Sequence, residues 1–109
     1  MASNKKEKNN ISEVLSELDR VIHSPARLMI MTYLYIVEAG DAVYLMNQTG
    51  LSWGNLSTHL SKLEEAGYVS INKTFINKKP KTVIELTDSG RKAFIEYKNK
   101  MKEFIGLTD

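Results

Sequence analysis

The amino-acid sequence predicts an α+β domain that is mostly helical, and three features of the chain indicate this. Two helical patterns separated by a glycine-containing turn run over residues 42–66. Two segments of alternating apolar residues, joined by a lysine-rich loop, lie within residues 68–86 and predict a β-hairpin. Amphipathic helical patterns flank this unit at residues 11–22 and 88–105. A helix-turn-helix followed by a hairpin is therefore the expected centre of the fold.

Length and composition are those of an ordinary globular protein with one domain. The chain has 109 residues, of which 42% are hydrophobic and 26% are charged. No apolar run approaches the ~20 residues of a membrane span, and no secretory signal pattern is present, so we expect a cytoplasmic protein without membrane contact. Residues 1–10 are polar and are expected to be a disordered tail, which leaves residues 11–109 as the domain. The lysines of this tail could keep the protein soluble or could add phosphate contacts.

The residues that metal and enzyme sites require are scarce. The chain has no cysteine, which excludes disulfides and thiolate metal sites. The two histidines, His23 and His59, do not have the spacing of a zinc motif. There is no phosphate-binding glycine loop and no nucleophile–base constellation. We expect no metal, no cofactor and no catalytic residue.

The second helix of the helix-turn-helix has two contrasting faces. Gly50 suits the turn before it, and Ser52 is a good N-cap. Leu56, Leu60 and Leu63 recur at helical spacing and should face the core. The other face and its borders carry mostly short polar groups, with no acid before Lys62, and short hydrogen-bonding side chains allow a helix to approach a polyanion and read base edges. The candidate DNA-binding residues of this helix are Ser52, Trp53, Gly54, Asn55, Ser57, Thr58, His59, Ser61 and Lys62.

Three of these candidates have specific chemical roles. Asn55 can form paired hydrogen bonds with adenine, and Lys62 can bind phosphate or guanine. His59 lies at the border of the apolar face, where two roles stay open: it could contact DNA or bond a backbone carbonyl.

The predicted hairpin concentrates positive charge, although the net charge of the whole chain is only +2. Lysines often protect an edge strand from aggregation, so their presence alone has a structural explanation. Beside a helix that can enter a groove, they are also placed to contact phosphates or a minor groove. The candidate residues are Lys73, Lys78, Lys79 and Lys81. Phe75 and Ile76, near the loop, are expected to fold back onto the domain.

An apolar segment at residues 27–38 predicts the central buried helix. Ser24 is its expected N-cap, Pro25 its first residue and Gly40 its end, after which Asp41 caps the next helix. Its methionines could line a ligand cleft or fill irregular gaps in the core.

The terminal helices carry apolar stripes that predict a dimer interface. After Thr87, which should cap the last helix, aromatic residues and a methionine follow at spacings of 3, 4 and 3, the pattern of a short coiled-coil seam. Such a stripe would otherwise lie exposed to water. The alternative is that both helices fold onto their own domain. The candidate interface residues are Ile11, Val14, Leu15, Leu18, Phe94, Tyr97, Met101 and Phe104.

Several motifs occur in a specific order within residues 23–97. The first is the run from Gly50 to Val69, Gly-Leu-Ser-x-Gly-Asn-Leu-Ser-x-His-Leu-x-Lys-Leu-Glu-x-Ala-Gly-Tyr-Val. It is followed by Lys78-x-Pro80-Lys81-Thr82 and by Leu86-Thr87-x-x-Gly90-Arg91. In this order they resemble the small winged-helix transcriptional regulators related to the MarR and ArsR groups.

The resemblance implies a winged helix-turn-helix fold, in which the hairpin is the wing and the added terminal helices form a homodimer. It also implies sequence-specific binding of double-stranded DNA at a pseudo-palindromic operator. Asn55, Ser57 and His59 are the recognition positions that carry over, with Gly54 allowing close approach of the backbone. No residue specifies a small-molecule effector.

A second interpretation comes from a different functional class. A winged-helix module can bind a protein partner through the same helix instead of DNA. That function would predict a tight protein complex and no salt-sensitive binding to a duplex. The short polar groups of the helix and the lysines of the hairpin favour DNA.

Overall fold

A computed structural model describes residues 10–109 of the chain. These residues form five helices and a three-stranded antiparallel sheet, so the predicted mostly helical α+β class is confirmed. The elements in chain order are α1 (Ile11–Ser16), α2 (Pro25–Val37), β1 (Ala39–Asp41), α3 (Ala42–Thr49), α4 (Trp53–Glu65), β2 (Val69–Ile76), β3 (Lys79–Leu86) and α5 (Asp88–Gly106). The tail predicted for residues 1–10 lies outside the described residues except for Asn10, whose side chain caps α1.

Four of the five helices, α2 to α5, begin at the capping residues that the sequence predicts. In each case a side-chain oxygen accepts a hydrogen bond from a backbone N–H of the first turn, which would otherwise lack a partner. The four N-caps are Ser24, Asp41, Ser52 and Thr87. Gly50 ends α3 with a φ of 73°, the left-handed conformation that the turn of the helix-turn-helix requires. The helix-turn-helix therefore has its expected boundaries.

The end of α2 differs from the prediction. The helix stops at Val37, where Glu38 takes a φ of 70°, and Gly40 lies in β1 instead of terminating the helix. β1 is a three-residue strand that the sequence pattern did not predict, and it pairs with β3 to give the sheet order β1-β3-β2. Since β3 is central, the hairpin is joined to the helix-turn-helix through the sheet.

The hairpin is longer and more exposed than predicted. Its strands are joined by Asn77 and Lys78 alone, whose φ values of 55° and 65° are the signature of a type I′ turn. The pairing is regular up to this turn, so the tip projects beyond the core. Phe75 and Ile76 are consequently 73% and 48% exposed, and the prediction that they fold back onto the domain was wrong.

The core lies between α2, α4, α5 and the sheet. Its centre is formed by fully buried side chains of α2 and α4, together with residues of the sheet. α2 is buried on one face only: Ile30, Met31 and Leu34 are inside, whereas Ile36 is 73% exposed. The predicted burial of this helix is therefore correct for one face and wrong for the other. Met31 is a core residue, and Met29 lies at the surface.

The apolar spacing of residues 11–22 predicted one continuous helix, but the N-terminal segment is broken. α1 ends at Ser16, and the Asp19 carboxylate accepts hydrogen bonds from the N–H groups of Val21 and Ile22 at 2.8 and 3.1 Å. The Tyr68 hydroxyl also donates to Asp19. Burial, and secondly this carboxylate, raise the pKa of Tyr68 to about 12. The turn at Asp19 thus ties the N-terminal segment to the end of α4.

Four of the eight residues predicted for the dimer interface are core residues of the chain itself, which corrects the predicted seam. They are Val14, Leu18, Phe94 and Tyr97. The Phe94 ring packs against Tyr35 with centroids 4.8 Å apart, and the Tyr97 hydroxyl lies 2.8 Å from His23 Nδ1. Part of each terminal helix therefore folds onto its own domain. The other four candidates, Ile11, Leu15, Met101 and Phe104, remain wholly or partly exposed.

Gly90 gives a test of this packing. A Cβ at this position would lie 2.1 Å from the backbone oxygen of Tyr68, which cannot move away easily. We expect Gly90→Ala to lower the free energy of unfolding by about 1–3 kcal/mol, measured by urea denaturation. Gly106→Ala is the matched control, because a Cβ there meets no atom within 4 Å. Equal stability of the two variants would contradict the packing described here.

Candidate nucleic-acid interface

α4 presents the predicted polar face to the surface. Leu56, Leu60 and Leu63 are at most 2% exposed, which fixes the rotation of the helix about its axis. Ser57 and His59 are half-buried at its borders. The exposed candidates are Ser52, Trp53, Gly54, Asn55, Thr58, Ser61 and Lys62. All nine predicted residues of this helix therefore lie on or beside one outer surface.

The outer surface of α4 carries mostly short side chains and is sterically open. A Cβ built on Gly54 would meet no atom within 4 Å, so another molecule can approach the backbone there. The Thr58 hydroxyl donates to the Gly54 carbonyl at 3.0 Å, which leaves this hydroxyl able to accept but not to donate. Asn55, Ser61 and Lys62 make no side-chain hydrogen bond to any residue in the range 10–109. Their donors and acceptors are available to a ligand.

His59 is held by Arg27, a residue that the sequence did not point to as part of the site. The two side chains meet with 3.0 Å between Arg27 Nη1 and His59 Nδ1. Because a guanidinium only donates, Nδ1 is the acceptor and the ring proton lies on Nε2. Arg27 also donates through Nε to the backbone oxygen of Val21. Of the two roles left open for His59, the structure does not show the bond to a backbone carbonyl.

The electrostatic surroundings of His59 favour its neutral form. Burial lowers the pKa of the imidazole, and the positive charges of Arg27 and Lys62 lower it further. The histidine is therefore uncharged near neutral pH and has one N–H, at Nε2, to offer a ligand. Arg27 is 32 residues away in sequence, and no local pattern links the two positions.

The wing lysines fall into two groups. Lys73, Lys78 and Lys79 are exposed, and none has a carboxylate within 4 Å among the residues that the structure describes. Lys81 instead forms an ion pair with Asp41 at 3.2 Å. A hydrogen bond from the backbone of Val43 lowers the pKa of Asp41, and Lys81 lowers it further. Lys81 therefore ties the root of the wing to α3, and its charge is partly neutralised.

Arg91, near the start of α5, is also engaged inside the domain. Its guanidinium lies 3.6 Å from the Glu38 carboxylate and 5.0 Å from the centre of the Tyr35 ring. These contacts brace α5 against the end of α2, so Arg91 serves the fold.

Residues 10–109 show neither a metal centre nor a membrane segment. They contain no group of three or more His, Cys, Asp or Glu side chains arranged to hold a metal ion. None of their helices is long and apolar enough to cross a membrane.

Proteins of similar sequence and structure place the chain in a family. The family profile described as a winged helix DNA-binding domain matches residues 26–105. The uncharacterized protein MJ0432 of Methanocaldococcus jannaschii is 40% identical over 89 residues, which are 82% of this chain and 94% of that protein. A transcriptional regulator homologue from Pyrococcus horikoshii OT3 superposes with a TM-score of 0.81 and 28% identity, covering 91% of this chain and 96% of its own.

A more distant structure shares the fold. A MarR-family transcriptional regulator from Silicibacter pomeroyi matches with a TM-score of 0.60 and 16% identity, over 99% of this chain and 69% of its own. These similarities confirm the predicted winged-helix fold and the predicted resemblance to small winged-helix transcriptional regulators.

The Arg27–His59 contact predicts a measurable effect on titration. We expect NMR to place the pKa of His59 below its ordinary value of 6.5, and Arg27→Met to raise it towards that value by removing a nearby positive charge. Arg91→Met, which removes a cation elsewhere, is the control and should leave the His59 titration unchanged.

The lowered pKa of His59 also makes the stability of the protein depend on pH. Because the folded pKa is lowered, the unfolded chain binds more protons between the two pKa values. The stability that neutral His59 contributes is fully present above pH 6.5 and is lost as the pH falls towards the folded pKa.

The two variants also give the result that would contradict the titration prediction. If Arg27→Met and Arg91→Met gave the same His59 pKa, the Arg27–His59 contact would not govern this titration.

Proposed function

Because the chain belongs to the family of winged helix DNA-binding domains, we propose that it is a transcriptional regulator that inserts α4 into the major groove of a specific duplex. The observation that carries this proposal is the exposed face of α4, which has no acidic side chain from residue 53 to residue 63. Phosphates repel carboxylates, so their absence from this face allows α4 to lie against a duplex.

Base recognition is assigned to the side chains that the fold leaves unpaired. Asn55 is exposed in the first turns of α4, where recognition helices contact base edges, and its amide can pair with adenine N6 and N7. Ser61 lies further along the same surface, followed by Lys62, which can bind either guanine or phosphate. Gly54 allows the backbone to come close to the duplex. Trp53, 47% exposed at the start of the helix, adds an apolar surface that can contact a thymine methyl or a sugar.

Phosphate contacts are assigned to the wing. Lys73, Lys78 and Lys79 project from a hairpin whose tip lies outside the core, and their charges are not used in ion pairs within residues 10–109. Such contacts fix the position of a protein on the duplex without selecting its sequence. Lys81 contributes less, because it already binds Asp41.

A second copy of the chain completes the proposed assembly. Ile11, Leu15 and Ile105 are 64%, 42% and 53% exposed on the terminal helices. Ile105 also lines a groove together with Leu28, Met101 and further residues of α5. Exposed apolar groups of this kind favour burial against a partner. A two-fold dimer would present two α4 helices to successive major grooves about 34 Å apart, which calls for a pseudo-palindromic operator.

The proposal is tested first by selecting bound sequences from a random duplex pool and measuring their affinity at several salt concentrations. With about three to five phosphate contacts per subunit, log K should fall against log[salt] with a slope near −5 to −9. Replacing Lys73, Lys78 and Lys79 together by alanine should flatten this slope while the selected sequence stays the same. Absence of salt-sensitive binding to any duplex would contradict the proposed function and favour a protein partner.

The dimer is tested separately by equilibrium sedimentation. Leu15→Glu combined with Ile105→Glu should raise the dimer dissociation constant by at least about a hundredfold, because two charges per chain would be buried at the interface. Ile36→Glu is the control, since Ile36 is 73% exposed on α2 and lies outside the proposed interface. A monomeric wild-type protein, or equal association of both variants, would contradict this assembly.

A further inference from the structure

A cleft beside α4 gathers positive charge from three separate parts of the chain. It lies where the segment before α2, the start of α2 and the last turns of α4 meet. Its lining residues are Arg20, Val21, Arg27, Lys62, Glu65 and Ala66. Three of these six side chains are cations, and none of the three belongs to the wing.

The fold does not use the charges of this cleft in ion pairs. Elsewhere, Lys81, Arg91 and Lys100 each have a carboxylate within 4 Å. Within residues 10–109, Arg20, Arg27 and Lys62 have none. Arg20 and Lys62 are exposed, and their side chains make no hydrogen bond to another residue of the described range. The cleft therefore keeps positive charge that no ion pair within the described residues neutralises.

Arg27 is pre-positioned within this cleft. Its bonds to the Val21 backbone and to His59 Nδ1 fix the guanidinium at the border of α4. A guanidinium has five N–H donors, so donors remain for another ligand after these two bonds. His59 and Lys62 are three residues apart and so lie on the same side of the helix.

We propose that this cleft is a second phosphate-binding site, in which Arg20, Arg27 and Lys62 hold the DNA backbone beside the groove that α4 enters. This inference rests on the proposed function and extends the contact region beyond the helix-turn-helix and the wing to Arg20 and Arg27. Arginine and lysine bind phosphate by charge-assisted hydrogen bonds. The His59 Nε2–H is an additional donor on the same side. The positive charges that lower the pKa of His59 belong to this cluster, which agrees with a local cationic field.

Glu65 is the carboxylate in the lining of this cleft. Its replacement should change the affinity in the direction opposite to replacement of the cations. A phosphate bound there would be repelled by Glu65, so neutralising this residue should strengthen binding. Glu64 is its neighbour and is also exposed, but it does not line the cleft. Glu65→Gln and Glu64→Gln change the net charge equally and differ only in location.

The experiment uses the full chain and a duplex selected by the wild-type protein. Arg20→Ala and Lys62→Ala should each weaken binding by about tenfold near 0.1 M salt and reduce the salt slope by about 0.9 for each phosphate that the variant no longer binds. Arg20→Ala should weaken binding to unrelated duplexes by a similar factor, because phosphate contacts carry no sequence information. Lys92→Ala on α5 is the control for net charge and should change the affinity by less than about threefold. Glu65→Gln should bind more tightly than Glu64→Gln.

The outcomes separate this inference from the proposed function. If the wild-type protein binds its duplex with a steep salt dependence but Arg20→Ala behaves like Lys92→Ala, the second phosphate site is wrong and the proposed function stands. If Glu65→Gln and Glu64→Gln bind equally, the cleft does not face phosphate. If the wild-type protein binds no duplex at all, the proposed function and this site both fail.

Discussion

Burial of three leucines of α4 is the constraint on which the rest of the surface depends. Leu56, Leu60 and Leu63 pack into the core at helical spacing, and each such side chain contributes roughly 1.5–3 kcal/mol by leaving water. Rotating α4 about its axis would expose them, so the helix has one orientation. Every polar residue between them then has a fixed direction. The packing of the inner face of α4 therefore determines which residues lie on its outer face.

Some cations of the chain form ion pairs with carboxylates, and others have no such partner within the described residues. Lys81, Arg91 and Lys100 each pair with a carboxylate from another part of the chain. Exposed pairs of this kind add little stability each, but the carboxylates partly neutralise these three positive charges. The lysines of the wing tip and the cations of the cleft beside α4 have no such partners within residues 10–109. α2 and β2 both pack against α4, so these cations lie on or beside elements that contact it, which agrees with a polyanionic ligand.

Local sequence signals predicted most of the elements that build the interface. Capping residues, leucine spacing and the turn at Gly50 act within a few residues, so α3 and α4 could be recognised with nearly correct boundaries. The paired strands of the wing were also recognisable from alternation. Placement of the polar face followed directly, because a helix that buries one stripe must expose the opposite one.

The features that the sequence did not reveal depend on residues far apart in the chain. β1 has three residues and exists only because β3 lies beside it. The break after α1 depends on Asp19, which both caps a turn and accepts from Tyr68, 49 residues away. The Arg27–His59 contact is likewise non-local. Burial of Phe94 and Tyr97 could not be separated from a dimer seam, since both arrangements produce the same apolar spacing.

Gly54 offers the most direct test of the claim that the outer face of α4 enters a DNA groove. Gly54→Gln adds a polar side chain where a Cβ meets no atom within 4 Å, so the free energy of unfolding should change by less than about 1 kcal/mol. The affinity of this variant for the duplex selected by the wild-type protein is the decisive measurement. A loss of about tenfold or more, with the fold intact, is the result that we expect for a helix in contact with bases. Wild-type affinity in Gly54→Gln would contradict the account, because it would show that no duplex approaches this face.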